Sequence, residues 1–560
     1  MERPNFIFIL ADDVGITDLN AYSTKLIGAS VDEQFYSTPH LNRLAFEGIS
    51  FEQAYATQLC SPTRAALLTG KFAPRLGFTT ATPPVRTYFS AGLEPPDELQ
   101  PLDAIEHRDR PMPEMPLFNG KTQTALPTGH ALDLGQDVQT IAEALTDYRS
   151  AYLGKWHLGG HGAPGHQPRD NGFEELAWFD SGGSPYFNWR QNWLDDRPHF
   201  ESSPVEKIEM GYPGEPTDQE YLTDDLAARA VQFIEDQKDS NRPFLLYFAH
   251  FAVHTPIEAP EGETAAFAEK PQRGWKGHRN PTYAAMLASL DRSVGAIRKA
   301  LERTGQTDNT YIIFMSDNGG VDWQVGAGAT ALRIAPGAAF KGEPPPTSNA
   351  PFRGGKATLY EGGVRVPLII VGPQAKGGRW VRHPVDATDI FPTLYDLAGY
   401  NPERLYTDAT FDGRSFASLL GANSHSEYSK DTIYWHYPFN VVVPDPTDNV
   451  PLGPASSIRK GRYKLVVRWH GDKQLFDIES DPFEKVDMAS ANPDLVDKLF
   501  DDLVTWLSAN VSAQYFPKIN PAYDSSKNPR GDYRTMGTLL DDKANELTRR
   551  SKRSQSSLAP

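Results

Sequence analysis

The sequence predicts an α/β protein: a large mixed, mostly parallel β-sheet sandwiched by helices, followed by a smaller C-terminal antiparallel sheet with a covering helix. Three observations carry that reading. Five short, continuous apolar runs, at 5–10, 150–153, 244–249, 309–315 and 368–371, have the composition of strands buried on both faces. Stretches with a helical apolar period lie between them, at 137–145, 222–237 and 282–301, the alternation that builds a layered α/β sheet. Four of the runs also end in side chains capable of chemistry: Asp12 and Asp13, Lys155 and His157, His254, and Asp317 with Asn318. Open α/β sheets place ligands at the carboxyl ends of their strands, so these four ends are expected to form one site.

The 560 residues exceed a single average core, and two units are expected, 1–425 as a catalytic α/β domain and 426–560 as a C-terminal subdomain. With 39% hydrophobic and 23% charged residues, the composition is that of a soluble globular protein. No run of about 20 apolar residues marks a transmembrane helix. The net charge of −17 argues against nucleic acid and anionic membrane surfaces as partners, so any anion site has to be locally basic. Only Met1–Pro4 precede the first strand, and no signal peptide is expected. Localisation stays open: periplasmic or secreted if a signal was removed, cytoplasmic otherwise.

Along the chain, the first strand runs into Asp12-Asp13, hard oxygen ligands of the kind that Ca²⁺ or Mg²⁺ takes. Residues 37–45 read as a capped helix start. Cys60 is the only cysteine, so it has no disulfide partner within the chain and no second thiol for a Cys-based metal site. Pro62 and the run Ala65–Leu68 place it at a helix start, where backbone N–H groups favour negative charge. On those grounds alone, a free Cys reads better as a small buried hydrophobe. Residues 79–125, rich in Pro and charge, read as a long insertion beside the site. Lys155 and His157 would point the same way from an extended segment. The aromatic and Arg-containing stretch 160–217, with Tyr186 and Arg190, suits stacking on a sugar or aryl group. Beyond 425, short strands near 433–437, 457–459, 463–467 and 474–476 read as the antiparallel sheet, and 495–507 as its helix. Residues 549–560 read as a disordered tail unless a partner protomer orders them, which leaves a homo-oligomer open.

Cys60-Ser61-Pro62-Thr63-Arg64, continued by Ala-Ala-Leu-Leu-Thr-Gly-Lys, resembles the signature of the type I sulfatases of the alkaline phosphatase-like superfamily. Gly154-Lys155-Trp156-His157-Leu158-Gly159 resembles their second signature. Asp12-Asp13, His254-Thr255-Pro256, Asp317-Asn318 and the block from Gly354-Gly355-Lys356 through Glu361-Gly362-Gly363 to Arg365 and Pro367 match further family positions. The likeness is close over roughly the first 425 residues and loose beyond. It implies that a formylglycine-generating or anaerobic sulfatase-maturating enzyme oxidises Cys60 to formylglycine. The hydrated aldehyde would attack sulfur, release the alcohol, and then expel sulfate through its second hydroxyl. It implies Ca²⁺, with Mg²⁺ as the alternative, held by Asp12, Asp13, Asp317, Asn318 and the modified Cys60. It further implies that His254 protonates the leaving alcohol. Lys155, Lys356 and Arg64 would neutralise sulfate oxygens or hold the diol, and His157 would orient it.

The substrate expected from the resemblance is a sulfated small molecule or saccharide. Carbohydrate is favoured because Ser456–Lys464 resembles a segment common in bacterial sulfatases, many of which act on polysaccharides. Arg190, Arg353, Trp435 and His436 are the candidates for the leaving-group side. Other readings stay open: an arylsulfatase, a phosphonate monoester or phosphodiester hydrolase of the same superfamily, and an inactive relative used for binding.

Overall fold

A computed structural model describes residues 3–82, 105–106, 117–118, 120–123, 125–126, 138–159, 166–179, 186–187, 189, 220–270, 278–323, 345–406, 411–421, 427–440, 453–469, 471–524 and 526. Arg190 and the tail at 549–560 lie outside these residues. The principal sheet has eight strands: β1 (Asn5–Ala11), β2 (Ile49–Phe51), β3 (Arg149–Lys155), β4 (Glu175–Phe179), β5 (Phe244–Ala249), β6 (Thr310–Ser316), β7 (Leu368–Val371) and β8 (Arg379–Val381). Their order across the sheet is β8-β2-β7-β6-β1-β5-β3-β4. The five strands from β6 to β4 are mutually parallel, while β7 runs antiparallel to both β6 and β2. The mixed, mostly parallel sheet expected from the apolar runs is therefore present.

Alternation along β1 shows why that strand reads as continuously apolar. Phe6, Phe8 and Leu10 enter one core with α1 (Cys60–Thr69) and α4 (Ile390–Leu397). Ile7, Ile9 and Ala11 enter the other with α2 (Leu222–Asp236) and α3 (Pro281–Thr304). A strand covered by helices on both faces has no solvent side to carry polar residues.

The smaller sheet is fully antiparallel, in the order β9 (Thr432–Tyr437), β10 (Ala455–Lys460), β11 (Tyr463–Arg468) and β12 (Asp472–Asp477). One face, through Ile433, Trp435, Val466 and Phe476, packs on Tyr55, Leu359 and Val364. The other, through Ile458, Leu465 and Leu475, is covered by Leu499, Phe500, Leu503 and Leu507 of α5 (Pro493–Asn510).

Two local expectations change. The helix expected over 137–145 is a single turn, Ile141–Ala144, closed by a capping box between Thr140 and Glu143 and ended where Leu145 leaves helical ψ. His157 does not extend β3: the strand ends at Lys155, and His157 takes a left-handed φ of 58°. Lys155 Nζ reaches Asp12, whereas His157 Nε2 reaches Thr82 O.

Candidate active site

Parallel register places the chemistry-bearing ends at one level. Ala11 pairs with Ser316, Leu10 with Ala249, and Ala249 with Gly154. Asp12, Asp317, Lys155 and the segment after β5 thus emerge side by side. Gly154 makes that level possible: at φ 97°, an added Cβ would stand 1.8 Å from Ala249 O. From the side, α1 brings in Cys60 at its first position and Arg64 one turn later, on the same helical face.

The cations and carboxylates interlock. Lys155 Nζ donates to Asp12 Oδ2 at 2.6 Å, and Lys356 Nζ to Asp13 Oδ1 at 2.6 Å. Arg64 donates from Nη2 and Nε to Asp317 Oδ2 (2.8 and 3.2 Å) and from Nη1 to Lys155 O (2.7 Å). Asn318 Nδ2 donates to Asp13 Oδ1 at 2.8 Å. His254 Nε2 lies 3.8 Å from Asp13 Oδ2. Three positively charged side chains, Lys155, Lys356 and Arg64, converge here, each engaged by one of the carboxylates of Asp12, Asp13 and Asp317.

Oxygen atoms in this cluster remain without donors. Asp12 Oδ1, Asp13 Oδ2 and Asn318 Oδ1 are buried and have no hydrogen-bond partner among the described residues. Asp12, Cys60 and Asp317 present ligand atoms within 4.8 Å of one another, as do Asp12, Asp13 and His254. Buried polar atoms are ordinarily paired, so orphaned oxygens at one centre fit a hard, oxygen-seeking cation and disfavour Zn²⁺.

Burial and neighbouring charges divide the titrations. Burial, reinforced by Asp317 and opposed by Lys155, pushes the Asp12 carboxyl up to about 8. Burial also acts to raise Asp13, but Lys356, His254 and Lys155 outweigh it and hold that group below the usual carboxylate range. His254 is held neutral by burial, then by Lys356 and Lys155; His157 by burial, then by Lys155 and Arg64. Burial pushes the Cys60 thiol up, at 2% exposure. A thiol so placed is a poor thiolate nucleophile, which fits a residue destined for another chemical form.

Backbone geometry at the site is unusual. Asp13, His157 and Ala357 all adopt left-handed φ angles between 58° and 65°. Strained conformations of this type persist where the surroundings fix them, commonly at functional sites. Part of that fixing comes from side chains to which sequence reading assigned no role. Asn349 clamps Gly320 at both ends, accepting from its N–H at 3.0 Å and donating to its carbonyl at 2.8 Å. Lys356 N donates to the same carbonyl at 3.0 Å, and Tyr152 OH donates to Lys155 O at 2.6 Å. The only sequence signal for Asn349 is its position just before the Gly-Gly-Lys block.

The leaving-group candidates separate. Arg353 places its guanidinium over the Tyr360 ring, 4.0 Å from the centroid, with the Phe476 ring of β12 at 5.7 Å. Trp435 donates its indole N–H to Ala56 O at 2.8 Å. His436 is buried, with Nδ1 2.7 Å from Ser456 Oγ and Nε2 2.9 Å from Tyr515 O. Trp435 and His436 are thus engaged in the interior, and the charged cluster does not include them.

Residues 4–400 match the sulfatase family model, and 355–508 match the model described as the C-terminal region of N-sulphoglucosamine sulphohydrolase. The chain belongs to the sulfatase family and is a sulfuric ester hydrolase. It is similar to a sulfatase of Formosa agariphila, at 28% identity over 91% of this chain and 89% of that protein. It is also similar to the N-acetylgalactosamine-6-sulfatase of Canis lupus familiaris, at 31% identity over 74% of this chain and 65% of that enzyme. Among solved structures, Ps i-CgsB in complex with k-i-k-neocarrahexaose aligns over 97% of this chain and 99% of its own, at 26% identity and a TM-score of 0.65. The phosphonate monoester hydrolase of Agrobacterium radiobacter, at 20% identity and a TM-score of 0.51, shares the fold.

Proposed function

We propose that this sulfatase cleaves a carbohydrate sulfate ester to alcohol and inorganic sulfate, after a maturating enzyme has converted Cys60 to formylglycine. The observation that carries the reading is the meeting of Cys60, the unpartnered oxygens of Asp12, Asp13 and Asn318, and three cationic side chains at one level of the sheet. Relatives named for a sugar substrate or ligand, among them the N-acetylgalactosamine-6-sulfatase and the complex with k-i-k-neocarrahexaose, support the substrate class.

Asp12, Asp13, Asp317 and Asn318 would hold Ca²⁺, or Mg²⁺ in its place, against position 60. Hydrated formylglycine would supply the nucleophilic oxygen, and the cation would favour its deprotonation and share the charge of the sulfuryl oxygens. Lys155 and Lys356 reach the same place and neutralise sulfate oxygens, while Arg64 fixes Asp317 and the Lys155 carbonyl. His254 Nδ1 lies 2.7 Å from Thr255 O, an acceptor only, so Nδ1 carries a proton and Nε2 is the atom that exchanges one. A bound sulfate offsets the Lys155 and Lys356 charges that hold His254 neutral, so Nε2 can bear a proton for the leaving oxygen. His157 Nε2 faces Thr82 O at 3.0 Å, which leaves its unpartnered Nδ1 as the acceptor of this ring.

Sulfate released from a panel of sulfated mono- and oligosaccharides tests the reading, run beside phenyl phosphonate and a phosphodiester. At least one saccharide should exceed both phosphorus substrates in kcat/KM. A phosphonate rate far above every sulfate would overturn it.

A further inference from the structure

His254 reaches the site on the segment that follows β5, and one buried phenol holds that segment from behind. Tyr186 OH lies 2.7 Å from Phe251 O and 2.9 Å from His254 O. Both partners are carbonyls, so the hydroxyl is the donor and shares its single proton between them. Tyr186 N in turn donates to Glu258 Oε2 at 2.9 Å, and the ring stacks on Tyr221, whose hydroxyl donates to Glu258 O at 3.0 Å. The chain from Phe251 to Glu258 is therefore gripped at both ends by one residue, which is itself fully buried.

That grip reaches the imidazole. Because His254 Nδ1 is tied to the adjacent Thr255 carbonyl, the ring follows the backbone at 254–255, and Nε2 moves with it. Tyr186 lies in none of the family motifs read from the sequence. It comes from the aromatic stretch at 160–217, and its hydroxyl points at backbone rather than at the charged cluster.

We infer that Tyr186 is a positioning residue for proton transfer: its hydroxyl sets the His254 backbone so that Nε2 meets the leaving-group oxygen. The inference rests on His254 being the general acid. It has a signature that a merely structural role lacks. Protonation of the leaving oxygen counts most when the leaving group is poor and least when it departs readily as an anion. Loss of the Tyr186 hydroxyl should therefore fall unevenly on substrates, whereas a general loss of folded enzyme lowers all of them together.

The test compares mature Tyr186→Phe, Glu258→Ala and His254→Asn enzymes on phenyl sulfate and 4-nitrophenyl sulfate, with melting temperatures alongside. Tyr186→Phe should lower kcat on phenyl sulfate about 10-fold and on 4-nitrophenyl sulfate about 2-fold, with KM little changed and His254→Asn showing the same bias more strongly. Glu258→Ala, which removes the acceptor of the Tyr186 N–H, should show the bias more weakly and carries the test if Tyr186→Phe does not fold. Equal losses on the two substrates, or none, with His254→Asn still discriminating, would overturn the role of Tyr186 alone. A His254→Asn enzyme that loses both substrates equally would remove the general-acid reading beneath it.

Discussion

At position 60 the side chain sits where a thiol has little use: buried, raised in pKa and facing carboxylates. The active enzyme should show a Cys60 peptide about 18 Da lighter than the unmodified one, the difference between Cys and the aldehyde proposed as the source of the nucleophile. Cys60→Ala should lose at least about 1000-fold in sulfate release, measured on protein whose circular dichroism is unchanged. The orphaned oxygens of Asp12, Asp13 and Asn318 make a second expectation. Chelation with EDTA should abolish activity and lower the melting temperature, and added Ca²⁺ should restore both. Saturation at 100 times Kd corresponds to about 2.7 kcal/mol of stabilisation, which sets the size of that shift. Residue identities at this centre were legible because each lies in a motif or at the end of an apolar run. The left-handed turn at His157 was not, since a lone φ angle leaves no trace in residue type when the residue is not glycine.

Elements, by contrast, were legible in proportion to their burial. β1, β5 and β6 announce themselves as unbroken apolar runs because helices cover both faces. β2 and β8, three residues each, carry too short a pattern to stand out, and only their pairing places them in the sheet. An aromatic and an imidazole in a short strand look available for a ligand, and Trp435 and His436 both meet backbone partners inside the molecule. Gly154 supports the alignment of strand ends, and its replacement tests how much the element tolerates. Gly154→Ala combines a disfavoured φ of 97° with a Cβ 1.8 Å from Ala249 O. It should destabilise by about 3 kcal/mol in urea unfolding and depress activity through Lys155.

For the whole molecule, we propose that 1–425 and 426–560 fold as one cooperative unit. Glu361, in the block that carries Lys356, accepts from Lys464 of β11 (2.8 Å), from Tyr55 (2.9 Å) and from Arg365 (3.3 Å), while its own N–H donates to Glu484 at 2.7 Å. Lys464 Nζ also lies 3.0 Å from Glu484 Oε1, though its hydrogen bond is directed to Glu361. This buried charge cluster joins the small sheet to the site. Burial, opposed by Lys464 and reinforced by Glu361, pushes Glu484 up from an ordinary 4.5 to about 7. Between those values the folded state keeps a proton that the unfolded chain has lost, so this group makes stability fall as pH rises. Glu484→Gln removes that slope. The variant's melting temperature relative to the parent should therefore climb between about pH 5 and pH 7, by an amount equivalent to about 1–3 kcal/mol. A flat difference across the window would exclude the assignment.

The level strand ends described above also have a meaning in time. The links that define the site span most of the chain: Asp13 to Asp317 across 304 residues, Lys356 to Asp13 across 343, and Arg64 to Asp317 across 253. Contacts of such separation form only after the entropy of closing long loops has been overcome, so they arrive late on the folding route. A fragment that lacks either β1 or β6 cannot hold this constellation. Hydrolytic competence is in that sense a report on complete folding, and a chain stalled before β6 meets β1 would retain its motifs and have no chemistry.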